Sequence, residues 1–154
     1  MHARTKQIAD LLDHLGIEVE VRVFEADTRT AVAAAQQLGC EVGAIANSLV
    51  FDSDGEALLV MTSGAHRVDT AHLAHLLGAR TIKRAAPDLV RSATGQVIGG
   101  VAPIGHPAPI RTIIDPTLAS YPRIWMAAGT PDSVMSMSYA DLVAVTRGTE
   151  LPVN

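Results

Sequence analysis

The sequence predicts a single α+β (mixed α/β) layer domain, and three observations carry that prediction. Runs with the two-residue period of a strand alternate with runs at helical spacing, with no internal repeat or low-complexity linker between them. Asp52-Ser53-Asp54-Gly55 separates two apolar runs, which is hairpin chemistry and makes part of the sheet antiparallel. The 154 residues are 48% hydrophobic but only 3% aromatic, so the core is built from Val, Ile, Leu, Ala and Met.

The elements follow in order. Ile8, Leu11, Leu12 and Leu15 recur at helical spacing and stop at Gly16. Val19, Val21 and Val23 alternate with Glu20 and Arg22 as in a half-buried strand. Asp27, Thr28 and Thr30 are candidate caps for a helix from Ala31 to Leu38, closed by Gly39. A helical turn over Val42 to Ala46 leads into a strand from Ser48 to Phe51, with Asn47 at its entry. The hairpin partner runs from Ala57 to Thr62 and breaks at Ser63-Gly64. Asp69 or Thr70 caps a helix through Leu77, and Pro87 opens another that ends at Gly95. Ile110 to Ile114, Arg123 to Ala127 and Val134 to Met137 read as strands, and Ser138 or Tyr139 starts a last helix through Val145.

Composition excludes several classes. A net charge of -4 gives no global field for nucleic acid, and scarce aromatics give no stacking surface, so DNA is not an expected partner. No apolar run approaches a membrane span, and the acidic N-terminal stretch is not a signal peptide, so a cytoplasmic protein without a membrane partner is expected. Cys40 is the only cysteine, which forbids an internal disulfide. It follows a helix C-terminus, where the dipole disfavours a thiolate, and reads as a buried small hydrophobe. Charge is nevertheless uneven. Residues 80–91 hold Arg80, Lys83, Arg84 and Arg91 against Asp88 alone, either a solvated helix face and turn or a local phosphate contact.

Candidate chemistry narrows to two features. His66, His72 and His75 lack the further ligands that zinc needs, so no metal and no cofactor is expected. No serine lies in a nucleophile elbow. What stands out is Gly99-Gly100-Val101-Ala102-Pro103-Ile104-Gly105-His106-Pro107, whose three glycines and two prolines preclude helix and strand and suggest a rigid loop with bare peptide groups exposed. The second feature is Asn47, a carboxamide before the apolar run Leu49-Val50-Phe51, placed either to cap the strand or to project into a pocket.

Thr30-Ala31 with Ala33-Ala34-Ala35, Leu38-Gly39, Ile45 through Phe51, Gly64 with Arg67-Val68-Asp69, Thr94-Gly95, and Gly99 through Gly105 together resemble the YbaK/EbsC family, free-standing relatives of the editing domain of bacterial prolyl-tRNA synthetase. The resemblance runs from about residue 20 to residue 148. It implies a strongly curved, partly barrel-like mixed sheet flanked by helices. It also implies hydrolysis of the ester of mischarged aminoacyl-tRNA, with an aminoacyl-tRNA synthetase as a further partner, by water and without metal or covalent intermediate.

In that family the segment matching Gly99 to Pro103 lines the aminoacyl pocket. The resemblance thus marks Thr30, Ser48, Gly64, Gly99, Gly100, Val101, Pro103, Ile104, Gly105 and His106 as substrate-binding. His106, beside the loop, is also read as a donor near neutral pH. The charge of the Arg80, Lys83, Arg84 and Arg91 cluster reads as a weak tRNA acceptor-stem contact. Asn47 stands where the family usually carries its functional lysine. A carboxamide still donates a hydrogen bond to a developing oxyanion but brings no charge. Two further readings stay beside the deacylase: a binding module that kept the pocket and lost the chemistry, and a hydrolase of small esters or thioesters.

Overall fold

The computed structural model describes residues 2–25 and 30–154. It is a mixed α/β fold of five helices on an eight-stranded mixed sheet. The helices are α1 (Ala3–His14), α2 (Ala31–Leu38), α3 (Thr70–Leu77), α4 (Pro87–Thr94) and α5 (Tyr139–Thr146). The strands are β1 (Glu20–Val23), β2 (Ile45–Ser53), β3 (Glu56–Ser63), β4 (Ile82–Arg84), β5 (Arg111–Ile114), β6 (Ile124–Ala127), β7 (Ser133–Met137) and β8 (Thr149–Glu150). The sheet runs β1-β7-β6-β2-β3-β5-β8, with β4 attached to β2. No bridge among the described residues joins β1 to β8.

Local chemistry accounts for most boundaries. Thr30 caps α2 by accepting from Ala33 N–H, and Asp69 caps α3 by accepting from His72 N–H. The other two candidate caps for α2, Asp27 and Thr28, lie outside the described residues. The β2–β3 hairpin turns through Asp54 and Gly55, both at positive φ, as a two-residue hairpin loop requires. Its full register, Ala46 opposite Ser63 to Ser53 opposite Glu56, makes it the most extensively paired part of the sheet.

Several expectations are corrected. The turn before β2 is a 3-10 turn over Val42–Ala44 only, and the strand starts at Ile45. Asn47 is therefore the third residue of the strand and no cap at its entry. β4 and β8 were not expected. Ile82-Lys83-Arg84 carries one apolar residue, and Thr149-Glu150 none, so neither shows a strand period. β7 is buried along its whole length instead of alternating, because β1 and β6 flank it and both faces are covered. Cys40 is only half-buried, packed against the cluster of Ala34, Ala35, Ile45, Trp125 and Val134, and burial raises its thiol pKa.

The core has three parts. Inward residues of β2, β3, β6 and β7 (Ala46, Val50, Leu59, Met61, Met126, Met135, Met137) meet α1 and the 101–104 loop. Phe51, Leu58, Val60 and Ile113 pack under Leu73 of α3 on the opposite face. Trp125 joins Ala34, Ala35, Ile45 and Val134 beneath α2. No helix among the described residues is long and apolar enough to cross a membrane.

Candidate active site

β2 pairs with β6 only at Ile45 and Ala46 before the two strands diverge. At this divergence lies an open cavity of about 810 Å³. One wall is β2 from Ile45 to Val50, and the facing wall is Ile98, Gly99 and Val101. Trp125, Phe24, Ala34 and Val134 make an apolar end, while Arg67 and Arg84 enter from elsewhere in the chain.

Of the residues singled out from sequence, Asn47, Ser48, Thr30, Gly99, Val101 and Arg84 line this cavity together. No hydrogen bond among the described residues engages the Asn47 carboxamide, which leaves both its donor and its acceptor for a ligand. The Ser48 hydroxyl is taken, donating to Met61 Sδ at 3.2 Å.

Gly64, Gly100, Pro103, Ile104, Gly105 and His106 are not on the cavity wall. Gly64 is a close-packing position, where a Cβ would lie 2.5 Å from Val42 O and 2.9 Å from Ala31 Cβ. A Cβ on Gly100 would meet Thr130 C at 2.7 Å, so the loop lies directly on the Thr130-Pro131 turn. The loop is thus less bare than its composition suggests. Val101, Ala102, Pro103 and Ile104 are buried.

Gln96 holds the loop from behind. Its Oε1 accepts from Ala102 N–H at 2.6 Å, and its Nε2 donates to Ile104 O at 3.3 Å. His106 Nε2 lies 2.9 Å from Ala102 O, and burial lowers the imidazole pKa while that hydrogen bond opposes the shift. His106 is a neutral brace under the loop and no donor into the cavity.

The basic cluster splits as well. Lys83 and Arg84 sit on β4 instead of a helix face, and only Arg84 reaches the cavity. Arg80 precedes β4, where its backbone N–H donates to Asp54. Arg91 is on the last turn of α4. Arg67 and Gln96 are the two residues sequence reasoning missed. A lone amide between Gly95 and Val97 would have been the signal for Gln96, whereas Arg67 stands in the sequence only within the Arg67-Val68-Asp69 run that carries the resemblance, with no role assigned to it.

His66 Nδ1 bonds Asp115 Oδ2 at 2.7 Å, away from the cavity. No group of three or more metal-ligating side chains occurs among the described residues.

Comparisons agree with this architecture. The chain is 27% identical over 126 residues to the uncharacterized protein YwhH of Bacillus subtilis (strain 168), covering 81% of this chain and 80% of that one. It is 28% identical over 103 residues to the proline–tRNA ligase of Lysinibacillus sphaericus (strain C3-41), covering 67% of this chain but only 18% of the ligase. A crystal structure described as a candidate trans-editing enzyme for prolyl tRNA synthetase superposes with a TM-score of 0.91 at 35% identity, covering 100% of this chain and 98% of that one. Residues 25–145 match the family model of the aminoacyl-tRNA editing domain, and the chain belongs to that family.

Proposed function

We propose that this chain, read as one editing domain over residues 1–154, is a trans-acting aminoacyl-tRNA deacylase that hydrolyses the ester of mischarged tRNA during translation in the cytoplasm. One observation carries the reading: Asn47, unengaged, shares a cavity with Gly99 and Val101 of the glycine loop. Water attacks the ester carbonyl, and the Asn47 amide donates to the oxygen on which charge grows. A preorganised donor of this kind typically contributes on the order of 10²–10³ in rate. Arg67 and Arg84 at the same cavity suit the phosphates of the acceptor end, which enters as a single strand. The apolar part of the cavity lining suits an uncharged amino-acid side chain. A synthetase that releases the mischarged tRNA is the partner this reading implies.

Incubating the protein with a panel of mischarged tRNAs tests the proposal. One or more esters should decay faster than without protein; half-lives unchanged across the whole panel would overturn it.

A second reading, a binding module without hydrolysis, is favoured by the neutral Asn47 where the resemblance leads one to expect a lysine. Under that reading Asn47→Lys creates activity in an inert protein. Under the first, Asn47→Lys alters an activity already present.

A further inference from the structure

One edge of β2 has two different neighbours. β6 pairs with it at Ile45 and Ala46, and β4 joins only from Phe51. Between them no strand among the described residues lies against that edge. The alternation of an antiparallel ladder determines which backbone groups this leaves open, because successive residues turn their N–H and C=O to opposite sides. Gly64 N–H donates to Ile45 O at 2.7 Å, so Ile45, Asn47 and Leu49 face β3. Ala85 N–H donates to Val50 O at 3.2 Å, so the residues between them face the other way. β6 engages Ala46, and Ala85 engages the Val50 carbonyl. The Ser48 N–H and C=O remain, both directed into the interval together with the Val50 N–H, and Ser48 is the one residue there with both groups open; it lines the cavity. Its own hydroxyl does not cover them, being bonded to Met61 Sδ. Ser48 is half-buried at the wall of an open cavity, so this unpaired N–H and C=O stand accessible to a ligand that enters it.

The geometry points to the Ser48 main chain as the receptor for the substrate's α-aminoacyl group, which docks there as a strand one residue long. This inference rests on the deacylase reading of the cavity. Directly opposed residues of an antiparallel pair exchange two N–H···O bonds. An aminoacyl ester carries the same complement across one Cα: an α-ammonium that donates and a carbonyl that accepts. The ammonium donates to Ser48 O. Ser48 N–H donates to the ester carbonyl, where charge grows as water adds. The free interval covers about three residue steps, roughly 10 Å, and is closed by β6 and β4, so it takes one amino acid and not a peptide. Opposed side chains share a face, so the substrate's falls on the side of Ala46 and Val50, next to Met126 and Val101.

The test uses the full chain, ¹⁵N-labelled, titrated with 3′-alanylamino-3′-deoxyadenosine, an uncleavable amide, and with its propionyl counterpart lacking the α-amino group. The Ser48 amide proton should move downfield with the first probe, and the second should bind about tenfold more weakly. Incorporating the α-hydroxy acid analogue of serine at position 48 removes its N–H and weakens the Asn47 carbonyl as an acceptor toward β3, a structural cost read separately, from the urea midpoint. It should slow ester cleavage about 10²-fold with little change in KM. A Ser48 resonance that stays fixed while Asn47 or Val101 shifts overturns the proposal, as does equal affinity for the two probes. If esters are cleaved and Ser48 takes no part, only this inference falls. If no ester is cleaved and neither probe binds, the deacylase reading falls with it.

Discussion

Gly99 and Gly100 are adjacent but are glycine for different reasons. Gly99 sits at φ +87 with nothing within 4 Å of an added Cβ, whereas Gly100 has an unremarkable φ but the Thr130-Pro131 backbone against it. Gly100→Ala should therefore destabilise the protein by about 1–3 kcal/mol through overpacking. Gly99→Ala meets only the φ penalty, about 1 kcal/mol. Urea unfolding of the two variants checks the order; equal costs would mean that the Thr130 turn yields freely. Asn47 is the other position where single-residue chemistry decides. Asn47→Ala leaves the β2–β3 ladder intact, because that ladder is main chain, yet removes the one side-chain amide on the cavity wall. We expect cleavage of the responsive ester to fall about 10²–10³-fold with an unchanged unfolding midpoint. A midpoint that falls with the rate would make Asn47 a packing residue. Its residue type was legible in the sequence. Its environment was not, because the wall that faces it is some fifty residues away in the chain.

Among elements, those with their own punctuation were legible and those made by tertiary pairing were not. The hairpin announces itself in Asp54-Gly55, and α2, α3 and α4 close at Gly39, Gly78 and Gly95. β4 exists only because it lies against β2, and the brace behind the glycine loop depends on Gln96 and His106 folding under it. That brace is pH-sensitive. Burial holds the His106 pKa below its ordinary value, so the unfolded chain takes up the proton first on acidification. The contribution of His106 is thus fully present above about pH 6.5 and is lost as pH falls from there through the lower native value. Comparing urea midpoints near pH 7.5 and near pH 5.5, the wild type should lose more stability than His106→Gln, which keeps a donor for Ala102 O; parallel losses would exclude the brace. A second tie joins strand ends. Buried Asp115 accepts from Ser63 N–H, Thr117 N–H and His66. Asp115→Ala strands the Ser63 amide and should cost on the order of 2–3 kcal/mol.

Over the whole molecule, charge separates this protein from general RNA binders. A net charge of -4 repels polyanions at long range, so affinity for a tRNA end has to come from a few local cations. The sequence displays four of these as one cluster over residues 80–91, and folding disperses them. Arg84 goes to the cavity on β4, Arg80 and Lys83 stay outside it, and Arg91 leaves on α4. Arg67, absent from the cluster, arrives from the segment between β3 and α3. The sheet divergence that makes the cavity also brings together two guanidinium groups seventeen positions apart, which no local window of sequence can reveal. Each phosphate neutralised on a single strand contributes about 0.7 to the slope of log affinity against log salt. Two contacts therefore give a slope of about −1.4, and recruitment of Arg80, Lys83 and Arg91 as well would bring it to about −3.5. We expect the shallow value, measured by titrating an uncleavable aminoacyl-tRNA analogue at increasing salt, and a loss of about 0.7 from its magnitude in Arg84→Gln. A steep slope that is insensitive to Arg84 would move the RNA off the cavity mouth and onto the outer face of β4 and α4.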